Sequence, residues 1–228
     1  MIPIPIHDEA EQSLLRPPII LLGLILANVL VFLWTYFLSF NAESFLLSFG
    51  LIPQNVIGYH KLYTLTTSVF LHAGWLHLIG NMWFLWLFGD NVEDAMGRVK
   101  FLIFYILVGA LAGLFYAVTA VPAARAEIAI GASGAISGVL GGYMVLFPKN
   151  RVKLWWMYIW GHGVSFSVPM YVFALGWFVL QFIYGISSDL SNIGYAAHIG
   201  GFASGAILAR LFEKKILRMD FNVVDGFT

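Results

Sequence analysis

Residues 101–120 read FLIFYILVGALAGLFYAVTA. Twenty consecutive side chains carry no charge. An α-helix of about 20 residues crosses the hydrocarbon core of a bilayer. Arg98 and Lys100 precede the run, and Pro122 follows it.

Working outward, the same texture recurs. Apolar segments cover 18–40, 75–89, 131–147, 168–186 and 194–212, so the stretch at 101–120 is the third of six. Across all 228 residues, 60% are hydrophobic and 11% charged, against about 25% charged in a soluble domain. Mean hydropathy is +0.84. Lipid is therefore the expected solvent for much of the surface, and the expected fold class is all-α: a polytopic six-transmembrane-helix bundle. Segments two and four are short, so they are expected to begin below the membrane surface, under a cavity. Net charge is zero, which argues against nucleic acid as a partner. There is no cysteine, so disulfides, cysteine-ligated zinc and thiol catalysis are excluded. The opening MIPIPIHDEAEQSLLRPP lacks a basic n-region and a small-residue cleavage site, so segment one reads as an uncleaved anchor.

Charge sets the expected orientation. With a cytoplasmic N-terminus, the inner segments hold Arg16, Arg98, Lys100, Lys149, Arg151, Lys153, Arg210, Lys214, Lys215 and Arg218, and the outer ones only Lys61 and Arg125. The positive-inside rule puts both termini in the cytoplasm of a multi-pass cell-membrane protein. The expected organisation is a tail over 1–16, a membrane domain over 17–212 and a second tail over 213–228. The long outer connection between segments one and two contains FLLSFGLIP and YTLTTSVFL. It is expected to lie partly in the membrane as short amphipathic pieces. Trp155, Trp156, Tyr158 and Trp160 read as an interfacial aromatic belt before segment five.

Polar residues inside lipid are costly and need partners. His72, His77, Asn81, Ser133 and His198 fall at one depth on this topology, near the outer face. His77 and Asn81 are one helical turn apart. Ser133 with His198 supplies a nucleophile and a base. No Asp or Glu falls inside the six segments as bounded, and Asp189 and Glu127 sit in outer loops, so a dyad is expected. Asn81, His77 and the Ser133 backbone N–H are candidate oxyanion donors. Gly134, Gly138 and Gly142 in segment four, with Gly201 and Gly205 in segment six, have the small-xxx-small spacing of close helix packing. That spacing is also structural, and a lone serine in such a helix is ordinarily a packing residue. The coincidence of five polar groups carries the case.

The stretch HAGWLHLIGNM resembles the H-x4-H-x3-N signature of rhomboid intramembrane serine proteases. GASG resembles that family's nucleophile motif, and AHIGGFASG its last-helix histidine motif. The resemblance implies Ser133 as nucleophile, His198 as general base, His77 and Asn81 in the oxyanion hole, and His72 as cavity support through hydrogen bonds. It implies transmembrane protein substrates, a lipid bilayer as surroundings, and neither cofactor nor metal. Glu93, Gly97 and Arg98 look like the family's turn between helices two and three. Two positions depart from the pattern. Many members carry Trp-Arg in the outer loop where this chain has Tyr63-Thr64, and some place a tyrosine one turn after the serine, where this chain has Ser137.

Rival readings differ in kind. A zinc site from His72, His77 and His198 lacks the H-E-x-x-H spacing and its glutamate. An inactive relative that binds or escorts membrane proteins would be signalled by loss of Ser133 or His198. A transporter would carry a charged relay across the bilayer. Substrate entry is expected past segment five, whose Phe173, Trp177, Phe178 and Phe182 either gate the site or simply face lipid.

Overall fold

The computed structural model describes residues 3–8, 17–38, 41–159, 162–187 and 193–214. Strand β1 (Ile4–Asp8) precedes helix α1 (Ile19–Leu33), which continues as a π-helical turn over Trp34–Leu38. Three short helices follow in the connection between the first two apolar segments: α2 (Ala42–Phe49), α3 (Pro53–Ile57) and α4 (Thr64–Thr67). The long elements are then α5 (Trp75–Met96), α6 (Arg98–Thr119), α7 (Ser133–Leu146), strands β2 (Arg151–Ile159) and β3 (His162–Pro169), α8 (Met170–Ser187) and α9 (Ile193–Phe212).

The six apolar segments thus map onto α1, α5, α6, α7, α8 and α9. Among the described residues, Ile19–Phe37 and Arg98–Thr119 are long and apolar enough to cross a membrane, and Ser133–Leu146 and Met170–Ile183 are shorter apolar helices. Outward faces are apolar as well. Leu76, Ile79, Trp83 and Trp86 form an exposed stripe on α5, and Leu22, Leu26, Leu30 and Phe37 form one along α1. A water-facing surface would not carry such continuous stripes.

Two expectations are corrected. The described residues are mostly helical, consistent with the expected all-α class, but β1, β2 and β3 add a three-stranded antiparallel sheet that was not expected. Val152 and Leu154 are buried while Arg151 is exposed and Lys153 half-buried, the period-two pattern of a strand. Trp155 and Trp156, expected in a belt leading into a helix, lie in β2. Trp160 and the Tyr158 side chain lie outside the described residues, as do Asp189, Arg16, Lys215 and Arg218. The second correction concerns α5, which does not stop at Gly89 but runs 22 residues to Met96. Its last turns take up Asp90, Asn91, Glu93 and Asp94 because several of these groups have specific partners. Glu93 accepts from the Ile20 and Leu21 N–H groups at 3.2 and 2.7 Å, capping the start of α1. Asn91 donates to Asp8 at 2.6 Å, and the Tyr143 hydroxyl donates to the same carboxylate at 2.6 Å. Gly97, at φ +82°, turns the chain into α6, and Arg98 reaches the Pro17 carbonyl at 3.3 Å.

α7 is central. Gly138, Gly141 and Gly142 are buried in it, and α9 and α6 flank it. A methyl group at Gly201 would overlap the Gly134 carbonyl, and one at Gly205 the Gly138 carbonyl. Gly141 meets the Phe202 backbone in the same way, whereas Gly142 faces Phe104 and Ala209. The short helices α3 and α4 lie on α6, where Leu51 and Val56 bury against Tyr116 and Ala117.

Candidate active site

Ser133 is the first residue of α7, so its backbone N–H belongs to the unpaired first turn of a helix. The close α7–α9 approach brings His198 to it. The His198 Nε2 lies 2.8 Å from the Ser133 Oγ. The opposite ring nitrogen, Nδ1, lies 2.8 Å from Oε1 of Gln181 on α8. Trp177 tilts against the same imidazole with centroids 5.8 Å apart.

From the other side, α5 contributes His77 and Asn81. Both meet the loop before Ser133 at Gly131. A methyl group placed there would lie 2.7 Å from the His77 Nε2 and 3.7 Å from the Asn81 Nδ2. Gly131 has φ +129° and donates to the Ser68 carbonyl at 2.9 Å, so glycine is needed there for both conformation and space. The Asn81 Nδ2 is buried without a hydrogen-bond partner. Ser133, His198, Gln181, His77 and Asn81 line one cavity of about 550 Å³.

His72 is buried beside this cluster, ring against ring with His77 at 5.1 Å. Its contact with the site is made by packing against the His77 ring. Burial pulls its pKa down to about 4, keeping the ring neutral. Sequence reasoning missed Gln181. The available signal was an amide inside the apolar run MYVFALGWFVLQFIYGIS.

The Rhomboid domain family model matches residues 59–215, about two thirds of the chain and every residue of this cluster. The chain belongs to the rhomboid family. Rhomboid relatives bear this out over longer spans. The protein named "Putative rhomboid protease YdcA" of Bacillus subtilis is 31% identical over 219 residues, 92% of this chain and 96% of that protein. Rhomboid protease GluP of the same organism is 30% identical, covering 75% of this chain and 30% of its own length. RHOMBOID-like protein 12, mitochondrial, of Arabidopsis thaliana is 30% identical over 82% of this chain and 56% of its own length. The chain thus spans about half the length of that plant relative and nearly all of YdcA. Rhomboids are membrane-embedded, and the bacterial relatives are named proteases.

Both departures from the rhomboid pattern have a local account. Ser137 does not reach His198. Its hydroxyl donates back to the Ser133 carbonyl at 2.6 Å. The His198 ring is instead contacted from α8, by Trp177 and Gln181. In the connection between α1 and α5, the Tyr63 hydroxyl donates to the Ser48 carbonyl at 2.9 Å and Thr64 to the Lys61 carbonyl at 2.8 Å. The first bond ties the start of α4 to α2, and the second closes the turn that leads into α4.

Proposed function

We propose that this rhomboid is an intramembrane serine endopeptidase that cleaves transmembrane segments of membrane proteins. The observation that carries the reading is the 2.8 Å contact between the Ser133 Oγ and the His198 Nε2 inside a cavity. That distance lies within the reach a base needs to take the hydroxyl proton. Ser133 attacks the scissile carbonyl while its proton passes to Nε2. In this reading the developing oxyanion is met by the Asn81 amide, the His77 ring and the Ser133 N–H, which line the same cavity. Protonated His198 then gives its proton to the leaving amine, and an acyl group remains on Ser133. Water activated by the same base releases the second product. The sequence uses no cofactor and no metal.

The topology proposed with it has six spans over residues 17–212, cytoplasmic tails at both ends, and the site towards the outer face. The outward apolar stripes and the distribution of basic residues support it. Asn55→Cys is expected to be labelled from outside sealed cells and Lys215→Cys to be protected. The reverse result overturns the orientation. A fluorophosphonate probe on detergent-solubilised protein tests the chemistry. Labelling of the wild type, lost in Ser133→Ala, supports the reading, as does cleavage unaffected by chelators. Cleavage that persists in Ser133→Ala refutes it. A folded wild type that neither labels nor cleaves favours the non-catalytic reading, in which the chain binds or escorts membrane proteins.

A further inference from the structure

We propose that Gln181 is the positioning residue of this site: its side-chain carbonyl holds the proton of His198 on Nδ1 and leaves Nε2 free to act as base toward Ser133. The inference rests on the serine-protease reading and adds a third helix to it. It begins from two distances on one ring, 2.8 Å from Nδ1 to the Gln181 Oε1 and 2.8 Å from Nε2 to the Ser133 Oγ.

A neutral imidazole carries one proton, and the hydrogen bond made by one nitrogen decides the role of the other. An amide oxygen only accepts. Facing Nδ1, it selects the tautomer with the proton on Nδ1 and a lone pair on Nε2. Turned over, the amide would donate to Nδ1 and leave the proton on Nε2, where no serine proton can be taken. The Gln181 orientation therefore distinguishes a working base from an idle one. In a Ser-His-Asp triad, a carboxylate does this orienting. A carboxylate at membrane depth would bring a charge whose desolvation is expensive, and a neutral amide brings none. It follows that a site with this geometry needs no acidic residue beside the histidine. Gln181 itself never gains or loses a proton. The serine proton moves to Nε2, the Nδ1–H remains donated to Oε1, and the Nε2 proton leaves with the amine.

The helix that supplies the acceptor matters. Ser133 and His198 sit on α7 and α9, whose backbones touch at glycine. Gln181 sits on α8, which meets α9 through rings: Phe178 against Phe202 at 5.0 Å and Trp177 against Phe202 at 6.1 Å. Movement of α8 away from α9 would withdraw the acceptor and leave the nucleophile and base otherwise in place. The orientation of the base thus reports the position of α8. Among the described residues, the titratable groups beside His198 are His77 from α5 and Tyr195 from its own helix.

The experiment uses the full-length protein in detergent and in lipid vesicles, with a fluorogenic transmembrane-peptide substrate. Gln181→Leu, Gln181→Asn, Gln181→Glu and Ser133→Ala are compared with the wild type. Gln181→Leu removes the acceptor at similar volume and is expected to lower kcat roughly 10- to 100-fold, as loss of an orienting partner does elsewhere, with KM near the wild-type value. Fluorophosphonate labelling should slow by a similar factor. Gln181→Glu restores an acceptor and adds charge. It should recover most of the rate and move the acidic limb of the pH–rate profile upward, because a carboxylate favours the protonated imidazole. A residue 181 that does not face Nδ1 would not move that limb. If Gln181→Leu does not fold, the pH profile of Gln181→Glu decides by itself. Wild-type kcat in Gln181→Leu, or an acidic limb unmoved in Gln181→Glu, overturns the inference and leaves the serine-protease reading standing if Ser133→Ala is inactive. Cleavage by Ser133→Ala overturns both.

Discussion

The α7–α9 seam and the α8–α9 contact both border His198, and they are built on opposite plans. In the seam, Gly134 and Gly138 face Gly201 and Gly205 so closely that a single methyl group would strike a carbonyl. At α8, the contact is made by Phe178, Trp177 and Phe202. In lipid, backbone proximity and packing hold helices together, while apolar rings gain little over contact with acyl chains. The seam therefore brings Ser133 and His198 together, and α8 is the wall expected to yield first. The aromatics of α8 do not simply face lipid, for Phe173 stacks on Phe88 and Phe178 tilts against Phe202. Phe182 does face outward.

The sharpest way to break the comparison is Gly205→Leu. The side chain has no room beside the Gly138 carbonyl, so the variant is expected to lose its folded fraction in detergent, measured by thermal aggregation and size exclusion. A well-folded Gly205→Leu protein would show that the seam is not rigid. The next largest effect belongs to α5, on the other side of the cavity. Asn81→Ala removes a buried donor without a protein partner and should lower kcat on the order of 100- to 1000-fold, with little change in KM. If only KM changes, Asn81 is a binding residue.

A smaller effect is expected at α8. Phe178→Ala removes a ring pair that contributes about 0.5–1.5 kcal/mol, so the fold should survive with a Tm lower by a few degrees. Cleavage of transmembrane substrates should be retained or raised if α8 yields to admit them. Cross-linking α8 to α5 through introduced cysteines should suppress cleavage, and a wild-type rate in the cross-linked protein excludes α8 as the gate.

The smallest effect lies at the sheet, where side chains again make the attachment. Trp83 donates to the Pro5 carbonyl at 2.8 Å, and Asp8 accepts from Tyr143 and Asn91. Burial raises the Asp8 pKa above its usual value of 3.8. The folded state therefore holds that proton more tightly than the unfolded state. The docking of β1 is strongest below the ordinary carboxylate range and weakens as pH rises through the raised value. Asp8→Asn should remove this dependence and protect the N-terminal strand from proteolysis at neutral pH. Faster proteolysis of the variant would indicate that the charge itself is stabilising.

The candidate site was largely legible because its parts are local signals. A histidine and an asparagine one turn apart stand out in an apolar helix, and so does a serine at the head of a glycine-spaced one. The sheet was not legible, because Trp, Tyr and Val suit a strand and a membrane interface equally well. The full extent of α5 was missed because Asp90 and Glu93 look like terminators until their partners are seen. Those partners, Asp8 through Asn91 and the first turn of α1, lie 72 or more residues away in the chain.

By itself, the sequence determined the solvent, the approximate positions of the six long helices, and the polar groups that do not belong in lipid. These follow from composition and period, which are properties of neighbouring residues. Tertiary structure alone decided which glycines touch, that Ser137 bonds its own helix, and that an amide on α8 takes the Nδ1 side of His198. The physical reason is that a hydrogen bond between helices depends on their rotation and depth, and no segment encodes either without the others.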